Sequence, residues 1–327
     1  MLQVYLCKEF ELAKEKVKEI EPCCAIECEY GDKVIDEKID GVELAFFHHG
    51  EHSEEKPPCL RWDVYDSLKK PFDNFLISHV DIDTIMGIMW ASKILKPTSI
   101  AKEIAKLVAI QDLNGFHYIE SEILPTLPDY LKYRFLGVGY ILSKFRFDDD
   151  NQLCFDHSKN IHKLVLKIKD TIIDGINDDL KNNIDFWLQE KEKNAMEILK
   201  NHRKNLFNYF IKNGSINPLT AYKLPVHDNF AKINIVYNSE TGILTLATYN
   251  EEWAKNFFGD NGVITPLQKY FGNTAGGRIS VGGSPRDQFI SKEDANGFAE
   301  WLNRNYFDLK KIKNISINQK LIDKIPV

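Results

Sequence analysis

Three side chains that can bind a metal ion lie at alternate positions in the segment from His79 to Asp83. One imidazole and two carboxylates, those of His79, Asp81 and Asp83, form a donor set that suits a divalent cation such as Mn²⁺. A structural alternative also accounts for them, because Asp81 or Asp83 could cap a following helix while His79 makes a local hydrogen bond. The segment predicts a metal site, and the capping alternative stays open.

The flanking sequence places these side chains between a strand and a helix. The apolar run from Phe75 to Ile77 predicts a buried strand, and the apolar segment from Ile85 to Leu95 has the length of a helix. In open α/β folds, groups that follow a strand in this way lie at the carboxyl edge of the sheet, where ligands bind. The order predicts an α/β fold with a largely parallel N-terminal sheet flanked by helices.

A second group of candidate ligands follows the predicted strand from Gly41 to Phe47. His48, His49 and His52 are three histidines within five residues. Histidine is a common metal ligand, so a metal site is one interpretation. An exposed polar loop explains the same residues equally well, and both interpretations stay open.

Two more candidates lie near the end of a predicted helix that begins at Ser99. Asp112 is on its last turn and His117 lies just beyond it, so both could face the pocket of His79. Helix capping explains either residue taken singly. Asp63, where a short strand is expected to end, is a weaker candidate for the same site.

The C-terminal third contains a segment with five glycines and two arginines in fifteen residues, from Gly272 to Arg286. Glycines let backbone N–H groups approach an anion closely, and the guanidinium of arginine binds phosphate with two hydrogen bonds. A glycine-rich β-turn with exposed arginines is the alternative. The candidate substrate-binding residues are Gly276, Gly277, Arg278, Gly282, Gly283, Ser284 and Arg286.

Length and composition limit the classes of protein. A chain of 327 residues is long enough for two domains, and its net charge of −6 argues against a protein that coats long nucleic acid. No apolar run approaches the roughly 20 residues of a membrane span, and the first ten residues lack a secretory signal. Six cysteines are too few for a disulfide framework at this length, and free thiols indicate the cytoplasm.

Breaks formed by turn residues divide the chain into three predicted regions. Residues 1–157 form a metal-binding α/β domain, residues 158–213 a helical connector, and residues 214–327 a smaller α+β substrate-binding domain. Gly175 separates two predicted helices in the connector. In the third part, Lys232 to Tyr237 and Gly242 to Thr248 alternate around a turn and predict a β-hairpin.

Two segments together resemble a known family. The segment Ser78 to Asp83, after a strand and before an apolar helix, resembles the first motif of the DHH phosphoesterases, which carries one His and two Asp near a Gly, here Gly87. The segment from Tyr270 to Gly283 is similar to the glycine-rich substrate loop of the DHH-associated C-terminal domain. The order and overall length resemble those of nano-RNases and related phosphodiesterases.

The resemblance implies a chemistry and a set of ligands. In that family, two Mn²⁺ ions activate a water that attacks a phosphodiester, and the C-terminal loop holds the phosphate or terminal nucleotide of the substrate. By position, His79, Asp81 and Asp83 take the ligand roles of the first motif. The remaining ligands would come from Asp112, His117, His48, His49, His52 or Asp63.

The sequence departs from the family pattern in two places. It contains no Asp-His-His triplet, and the pair His48-His49 precedes the first motif, whereas the triplet of the family follows it. The family loop usually contains Gly-Gly-Gly-His, whereas Arg278 follows Gly276-Gly277 here.

These observations lead to a first hypothesis and two alternatives. The first is a phosphoesterase, using Mn²⁺ or Mg²⁺, that hydrolyses a small phosphorylated or nucleotide-type substrate in a cleft between two domains. The second is a nucleotide- or phosphate-binding regulatory protein of the same fold without catalysis, which the missing triplet favours. The third is a mononuclear metal hydrolase that uses the histidines at positions 48–52. A homodimer is compatible with each of them.

Overall fold

The computed structural model describes residues 2–30, 33–48, 55–145, 153–200, 207–212, 233–248, 250–285 and 288–306. The chain divides into two compact units, Met1–Leu188 and Gln189–Val327. The predicted boundaries after residues 157 and 213 remain a prediction, and residue 213 lies outside the described residues. The predicted fold class is confirmed, because unit 1 contains a mostly parallel sheet flanked by helices and unit 2 contains a separate, mainly antiparallel sheet.

The sheet of unit 1 has five strands in the order β5-β2-β6-β1-β7. The first four are parallel to their neighbours, and β7 runs antiparallel to β1 at one edge. A separate pair, β3 and β4, forms a small antiparallel ribbon. The strands are β1 (Gln3–Cys7), β2 (Cys23–Ile26), β3 (Glu29–Tyr30), β4 (Lys33–Val34), β5 (Val42–Phe46), β6 (Asn74–Ile77) and β7 (Cys154–Asp156).

Helices pack on both faces of this sheet. The larger core lies on the face covered by α3, α4, α6 and α7, and a smaller core lies under α1. Short 3-10 turns occur at Pro58–Leu60 and Leu124–Thr126, and a π-helical turn at Ile119–Ile123. The helices are α1 (Phe10–Ile20), α2 (Asp63–Ser67), α3 (Ile82–Ala91), α4 (Ser99–Asn114), α5 (Phe116–Tyr118), α6 (Asp129–Lys144) and α7 (Ser158–Ile173). Helix α8 (Asp178–Lys200) begins in unit 1 and continues past Leu188 into unit 2.

Helix α3 is buried along its whole length, which explains why its sequence is apolar rather than amphipathic. Its first turn is fixed by Asp81, whose side chain accepts a hydrogen bond from the backbone N–H of Thr84 at 2.8 Å. Gly87 allows close packing, because a Cβ there would lie 2.9 Å from Cβ of Pro58. The helix therefore holds the polar residues of its first turn at a fixed place beside the sheet.

Unit 2 is built on a second five-stranded sheet with the order β11-β12-β10-β9-β8. The predicted hairpin is confirmed as the antiparallel pair of β9 and β10, and the edge strand β8 is parallel to β9. Its elements are β8 (Phe207–Lys212), β9 (Ile233–Asn238), β10 (Ile243–Thr248), α9 (Glu251–Phe258), α10 (Ile264–Phe271), β11 (Gly276–Gly277), β12 (Val281–Gly283) and α11 (Lys292–Tyr306).

The cysteines differ in part from the expectation of free thiols. Cys23, Cys24, Cys28 and Cys59 are free and buried, but Cys7 and Cys154 form a disulfide. The two paired residues lie opposite each other on β1 and β7, with a Cα–Cα distance of 4.0 Å. A sequence separation of 147 residues hides this pairing from any analysis of local spacing. Among the described residues, no helix has the length and apolarity needed to cross a membrane.

Candidate metal centre

Three neighbouring parallel strands deliver polar side chains to one edge of the sheet in unit 1. Glu27 directly follows β2, His48 lies two residues after β5, and His79 lies two residues after β6. Because β2 lies between β5 and β6, Glu27 has one histidine on each side. The carboxyl edge of the sheet is therefore the place where the candidate ligands converge, as the sequence predicts for an open α/β fold.

One side of Glu27 faces a buried group that we call the inner triad, formed by Glu27, His48 and Asp83. Glu27 Oε1 lies 2.6 Å from His48 Nδ1, and Asp83 Oδ2 lies 3.6 Å from the same nitrogen. Asp83 Oδ1 accepts a hydrogen bond from the backbone N–H of Cys59 at 2.7 Å. Its Oδ2 is buried without a hydrogen-bond partner. One ligand atom from each of the three residues lies within 4.8 Å of the others.

The other side of Glu27 faces the outer triad, formed by Glu27, His79 and Asp81. His79 Nε2 lies 3.2 Å from Glu27 Oε2 and 3.3 Å from Asp81 Oδ2. Asp81 uses its other oxygen, Oδ1, to cap α3. The capping role that the sequence left open for Asp81 is thus present, and it leaves Oδ2 directed at His79.

Each histidine has a second contact on the nitrogen that faces away from Glu27. His48 Nε2 lies 2.9 Å from Asp112 Oδ2, and His79 Nδ1 lies 2.9 Å from Ser78 Oγ. The hydroxyl of Ser78 donates its own hydrogen to the backbone carbonyl of Glu27. Asp112 therefore lies behind His48 instead of joining either triad.

The electrostatics of the centre reflect several acids around two imidazoles. Burial by itself lowers the pKa of His48, but hydrogen bonds to Asp112 and Glu27 outweigh it and raise the pKa to about 10. In the same way, burial lowers the pKa of His79, while Asp81 and Glu27 raise it to about 10. Both imidazoles are consequently protonated at neutral pH in the ion-free protein.

The pKa of Asp81, the N-cap of α3, and that of Asp83, in its first turn, shift in opposite directions. Burial, followed by the charges of Asp81 and Glu27, raises the pKa of Asp83 to about 8. Burial also acts to raise the pKa of Asp81, but its hydrogen bond with His79 prevails and lowers the pKa. A carboxyl that is held neutral beside other acids would become a good ligand once a cation compensates their charge.

The dimensions of the two triads suit a divalent cation. An octahedral ion with bonds of about 2.1 Å places adjacent ligand atoms about 3 Å apart. In the outer triad, the contacts of His79 with Glu27 and Asp81, at 3.2 and 3.3 Å, are close to that spacing; in the inner triad, the contacts of His48 with Glu27 and Asp83, at 2.6 and 3.6 Å, lie on either side of it. Nitrogen and carboxylate donors together suit Mn²⁺ better than Mg²⁺, which prefers oxygen alone. The buried Oδ2 of Asp83 is an acceptor that such an ion would satisfy.

Glu27, which belongs to both triads, is not among the ligands that the sequence predicts. Two features mark it in the structure: it is buried, and it has a backbone φ of +56°, in the left-handed region that non-glycine residues rarely adopt. The sequence predicts a strand from Cys24 to Tyr30 that includes Glu27, whereas β2 ends at Ile26 and Glu27 directly follows it. Predicting Glu27 as a ligand also needs the strand order, because only neighbouring β5 and β6 give Glu27 two histidines to contact.

The other candidate ligands are placed elsewhere or are outside the described residues. His49 and His52 lie outside the described residues, and of His117 only the backbone, in α5, is described. Asp63 is on the surface, where its side chain is 60% exposed and pairs with Lys56 Nζ at 2.7 Å. The structure thus brings His48, His79, Asp81, Asp83 and Asp112 together and leaves Asp63 apart.

The glycine-rich segment of unit 2 forms a narrow antiparallel ribbon, in which Gly276 and Gly277 pair with Gly283 and Gly282. Gly277 has a φ of +145°, and a Cβ there would lie 2.5 Å from Cα of Gly282. The close pairing of the two strands therefore requires glycine at this position.

Two polar residues of this segment take part in backbone pairing. The backbone N–H of Arg278 donates to the carbonyl of Val281 at 2.7 Å. Ser284 is buried; its N–H donates to the carbonyl of Leu244, and its Oγ accepts from the Leu244 N–H at 3.1 Å. Arg286 lies outside the described residues. Anion binding by this segment stays a prediction.

Comparison with known proteins adds no family. No family model matches the chain, and no curated protein matches it. One solved structure, the crystal structure of an uncharacterized protein from Helicobacter pylori G27, is similar over 80% of this chain and 74% of that chain, with 14% identity and a TM-score of 0.21. A similarity at that level carries no argument about fold or function.

Proposed function

We propose that this protein is a metal-dependent phosphoesterase that hydrolyses a small phosphorylated or nucleotide-type substrate. The inner and outer triads would each hold one divalent cation, with Mn²⁺ favoured over Mg²⁺. The single observation that carries the proposal is the position of Glu27, whose two carboxylate oxygens each face a different histidine, His48 and His79. A shared carboxylate between two donor sets is the arrangement expected of a two-metal hydrolytic site.

The residues of the chain divide the work of such a site. Glu27 connects the two triads, and Asp83 supplies a carboxylate that is shielded from water. His79 and Asp81 are partly exposed, so they form the side of the centre that a substrate could approach. The rigid helix α3 fixes Asp81 and Asp83 relative to the strand that bears His79. A divalent cation held by these residues would supply Lewis acidity to activate water and to stabilise charge on the phosphoryl oxygens.

The phosphorylated substrate is proposed on two grounds. The first is the resemblance of the segment from Ser78 to Asp83 to the first DHH motif, and the second is the arginine-bearing ribbon around Arg278. The guanidinium of Arg278 would bind a phosphate, and the ribbon remains the proposed substrate-binding element of unit 2. A long nucleic acid is not expected, because the chain has a net charge of −6.

Hydrolysis assays on metal-depleted protein test this function. The purified chain, stripped with chelator and supplied again with Mn²⁺, should hydrolyse members of a panel of phosphomonoesters, phosphodiesters and dinucleotides. His79→Ala and Asp81→Ala should abolish the Mn²⁺-dependent activity while the circular dichroism of the folded protein is retained. Asp63→Asn is the matched control, because Asp63 is a surface acid paired with Lys56. Undiminished activity of both ligand variants would remove the proposal.

A binding protein without catalysis is the second candidate. The sequence feature that favours it is the absence of an Asp-His-His triplet anywhere in the chain. Calorimetry with nucleotides, with and without Mn²⁺, separates the two candidates. Ligand affinity without turnover supports the binding protein, and turnover supports the hydrolase.

The cytoplasm is the proposed compartment. Four buried free cysteines support it, because thiols persist in a reducing compartment, whereas the disulfide between Cys7 and Cys154 is uncommon there. Mass spectrometry of protein alkylated during cell lysis tests both points. Alkylation of Cys7 and Cys154 in that sample would support a reducing compartment, and their protection would argue for an oxidising one.

A further inference from the structure

The two triads share Glu27 but differ in their access to water. In the inner triad, the side chains of His48, Glu27 and Asp83 are 5%, 0% and 1% exposed. In the outer triad, His79 and Asp81 are 37% and 35% exposed. A cation in the inner triad would therefore be enclosed by protein, whereas one in the outer triad would keep a side open to solvent.

The two histidines also differ in the group that contacts the nitrogen facing away from Glu27. His48 Nε2 contacts the carboxylate of Asp112 at 2.9 Å. His79 Nδ1 contacts the hydroxyl of Ser78 at 2.9 Å, and that hydroxyl donates to the Glu27 carbonyl. Because the hydrogen of Ser78 is already used, its oxygen is left to accept the N–H of His79. Each contact thus favours an N–H on the far nitrogen, so that a cation could replace the proton on the nitrogen that faces Glu27.

The charge of these supporting groups is unequal. An ionised carboxylate behind an imidazole makes the imidazole a stronger ligand, whereas a neutral hydroxyl only orients it. Asp112 therefore strengthens the inner triad, and Ser78 orients the outer one without adding charge. The unpartnered Oδ2 of Asp83 adds a further acceptor to the inner triad.

We propose that the two triads hold their cations unequally: the inner triad retains one divalent cation, and the outer triad exchanges a second one with solvent. Asp112 and Ser78 are positioning residues, which act through His48 and His79 respectively. The inference rests on the proposed metal-dependent function and specifies its metal centre.

Burial and charge together favour binding of a cation to the inner triad before the outer one. A cation in the inner triad would face the carboxylates of Glu27 and Asp83 away from water, where their attraction for it is strongest, so the first cation gains most there. Once bound, it neutralises part of the charge of Glu27, and its own positive charge repels a second cation in the outer triad. The partly exposed ligands His79 and Asp81 leave room for water or a substrate oxygen. The exchanging cation is thus the one that a substrate would meet.

The experiment uses the full chain and Mn²⁺ alone. Protein loaded with excess Mn²⁺ is passed through a desalting column, its metal content is measured, and free Mn²⁺ is followed by electron paramagnetic resonance during titration. We expect about one Mn²⁺ per chain after desalting and a second that binds at least about 10-fold more weakly. Equal affinities, or loss of both ions on desalting, would overturn the inference.

Variants assign the two ions to their triads. Asp112→Asn should weaken the retained ion about 10- to 100-fold, and Ser78→Ala should weaken only the exchanging ion about 10-fold. Ser78→Thr, which keeps the hydroxyl, should restore the exchanging ion, and Asp63→Asn should change neither. If a variant fails to fold, Asp83→Asn and Asp81→Asn replace Asp112→Asn and Ser78→Ala. A Ser78 variant that weakens the retained ion as strongly as the exchanging one would contradict the assignment.

The failure of this inference can be told apart from the failure of the proposed function. Two ions of equal affinity together with Mn²⁺-dependent hydrolysis would refute unequal binding and leave the phosphoesterase intact. Absence of any bound Mn²⁺ would refute both, and would indicate that the inner and outer triads are an ion-pair network.

Discussion

The acidic centre of unit 1 and the glycine-rich ribbon of unit 2 both attracted functional predictions, but their polar groups are used differently. In unit 1, carboxylates and imidazoles that follow three strands or lie on two helices face each other, and Oδ2 of Asp83 is buried without a hydrogen-bond partner. In the ribbon, the Arg278 N–H and both polar groups of Ser284 pair with backbone, and the glycines allow two strands to approach closely.

The difference between the two regions distinguishes two reasons why a protein has an unusual residue at a given position. A buried acceptor without a partner has a cost in stability that a ligand would relieve, so it indicates a binding site. A glycine at a positive φ beside another strand is explained by the geometry of the backbone alone. The acidic centre therefore carries the functional proposal, while the ribbon must be tested for both roles.

The largest expected effect is the dependence of Mn²⁺ affinity on pH. The pKa of His48 and that of His79 are raised from 6.5 to about 10 in the ion-free protein, so both imidazoles carry a proton at neutral pH. Each cation must displace the proton of its own histidine, so the affinity of each should rise by up to about 10-fold per pH unit; below about pH 8 the inner cation must also displace the proton of Asp83, which makes its rise steeper there. The rise should flatten above pH 10. Calorimetry in buffers of different ionisation enthalpy measures the protons released.

The same shifts act on the stability of the ion-free protein in the opposite sense. Because the folded-state pKa of each histidine is raised, the stabilisation is fully present below about pH 6.5 and is lost as the pH rises towards 10.

An affinity for Mn²⁺ that stays constant from pH 6 to 9 would contradict the protonated state described for His48 and His79.

Replacing the shared ligand should have the next largest effect. Glu27→Gln removes the charge that both triads use, so we expect Mn²⁺ affinity to fall at least about 100-fold for both ions, with loss of any hydrolysis. Metal analysis after dialysis against Mn²⁺ measures the change, and Glu43→Gln, at an exposed position of β5, serves as control. A Glu27 variant that still retains one ion per chain would show that the carboxylate is not shared.

Two neighbouring glycines of the ribbon test whether glycine is required there by the backbone geometry. Gly277→Ala should lower the free energy of unfolding by about 2 kcal/mol, because of its positive φ and the contact with Gly282. Gly276→Ala should have little effect, since a Cβ there meets nothing within 4 Å. Denaturant unfolding measures both, and Mn²⁺ binding by unit 1 should be unchanged in each. Equal stability of the two variants would argue against the close pairing of β11 and β12.

The smallest effect tests the ribbon as a substrate site. Arg278→Ala should raise the KM for a phosphorylated substrate about 10-fold, the loss expected for one charge-assisted hydrogen bond, without changing unfolding. Arg278→Lys should recover part of it. Steady-state kinetics against the best substrate of the panel makes the measurement. An unchanged KM would leave the ribbon with a structural role and would remove the proposal that it binds the substrate.

Local patterns predicted the elements but not the pairings between distant ones. The buried strand at Phe75, the apolar helix and the hairpin of β9 and β10 follow from periodicity and turns, and all three are present. The helix predicted over Ile85 to Leu95 spans Ile82–Ala91, so it begins earlier and includes Asp83. Edge strand β7 has only three residues, too few for a periodic signal, and its disulfide joins residues far apart in sequence. The local sequence predicts neither the pairing of β7 with β1 nor the disulfide.

The candidate site shows the same limit. His79, Asp81 and Asp83 stand out because a histidine and two acids are close in sequence, whereas Glu27 has no histidine near it in the sequence. Its role depends on the strand order, which places β2 between β5 and β6. The contact of Asp112 with His48 likewise requires the last turn of α4 to reach His48, which no local pattern specifies.

Anomalous diffraction from crystals of the protein soaked in Mn²⁺ tests the central claim most directly. The account predicts two peaks, one on each side of the Glu27 carboxylate, with the peak beside His48 and Asp83 remaining after a brief wash in chelator. Peaks away from Glu27, or none at saturating Mn²⁺, would contradict it.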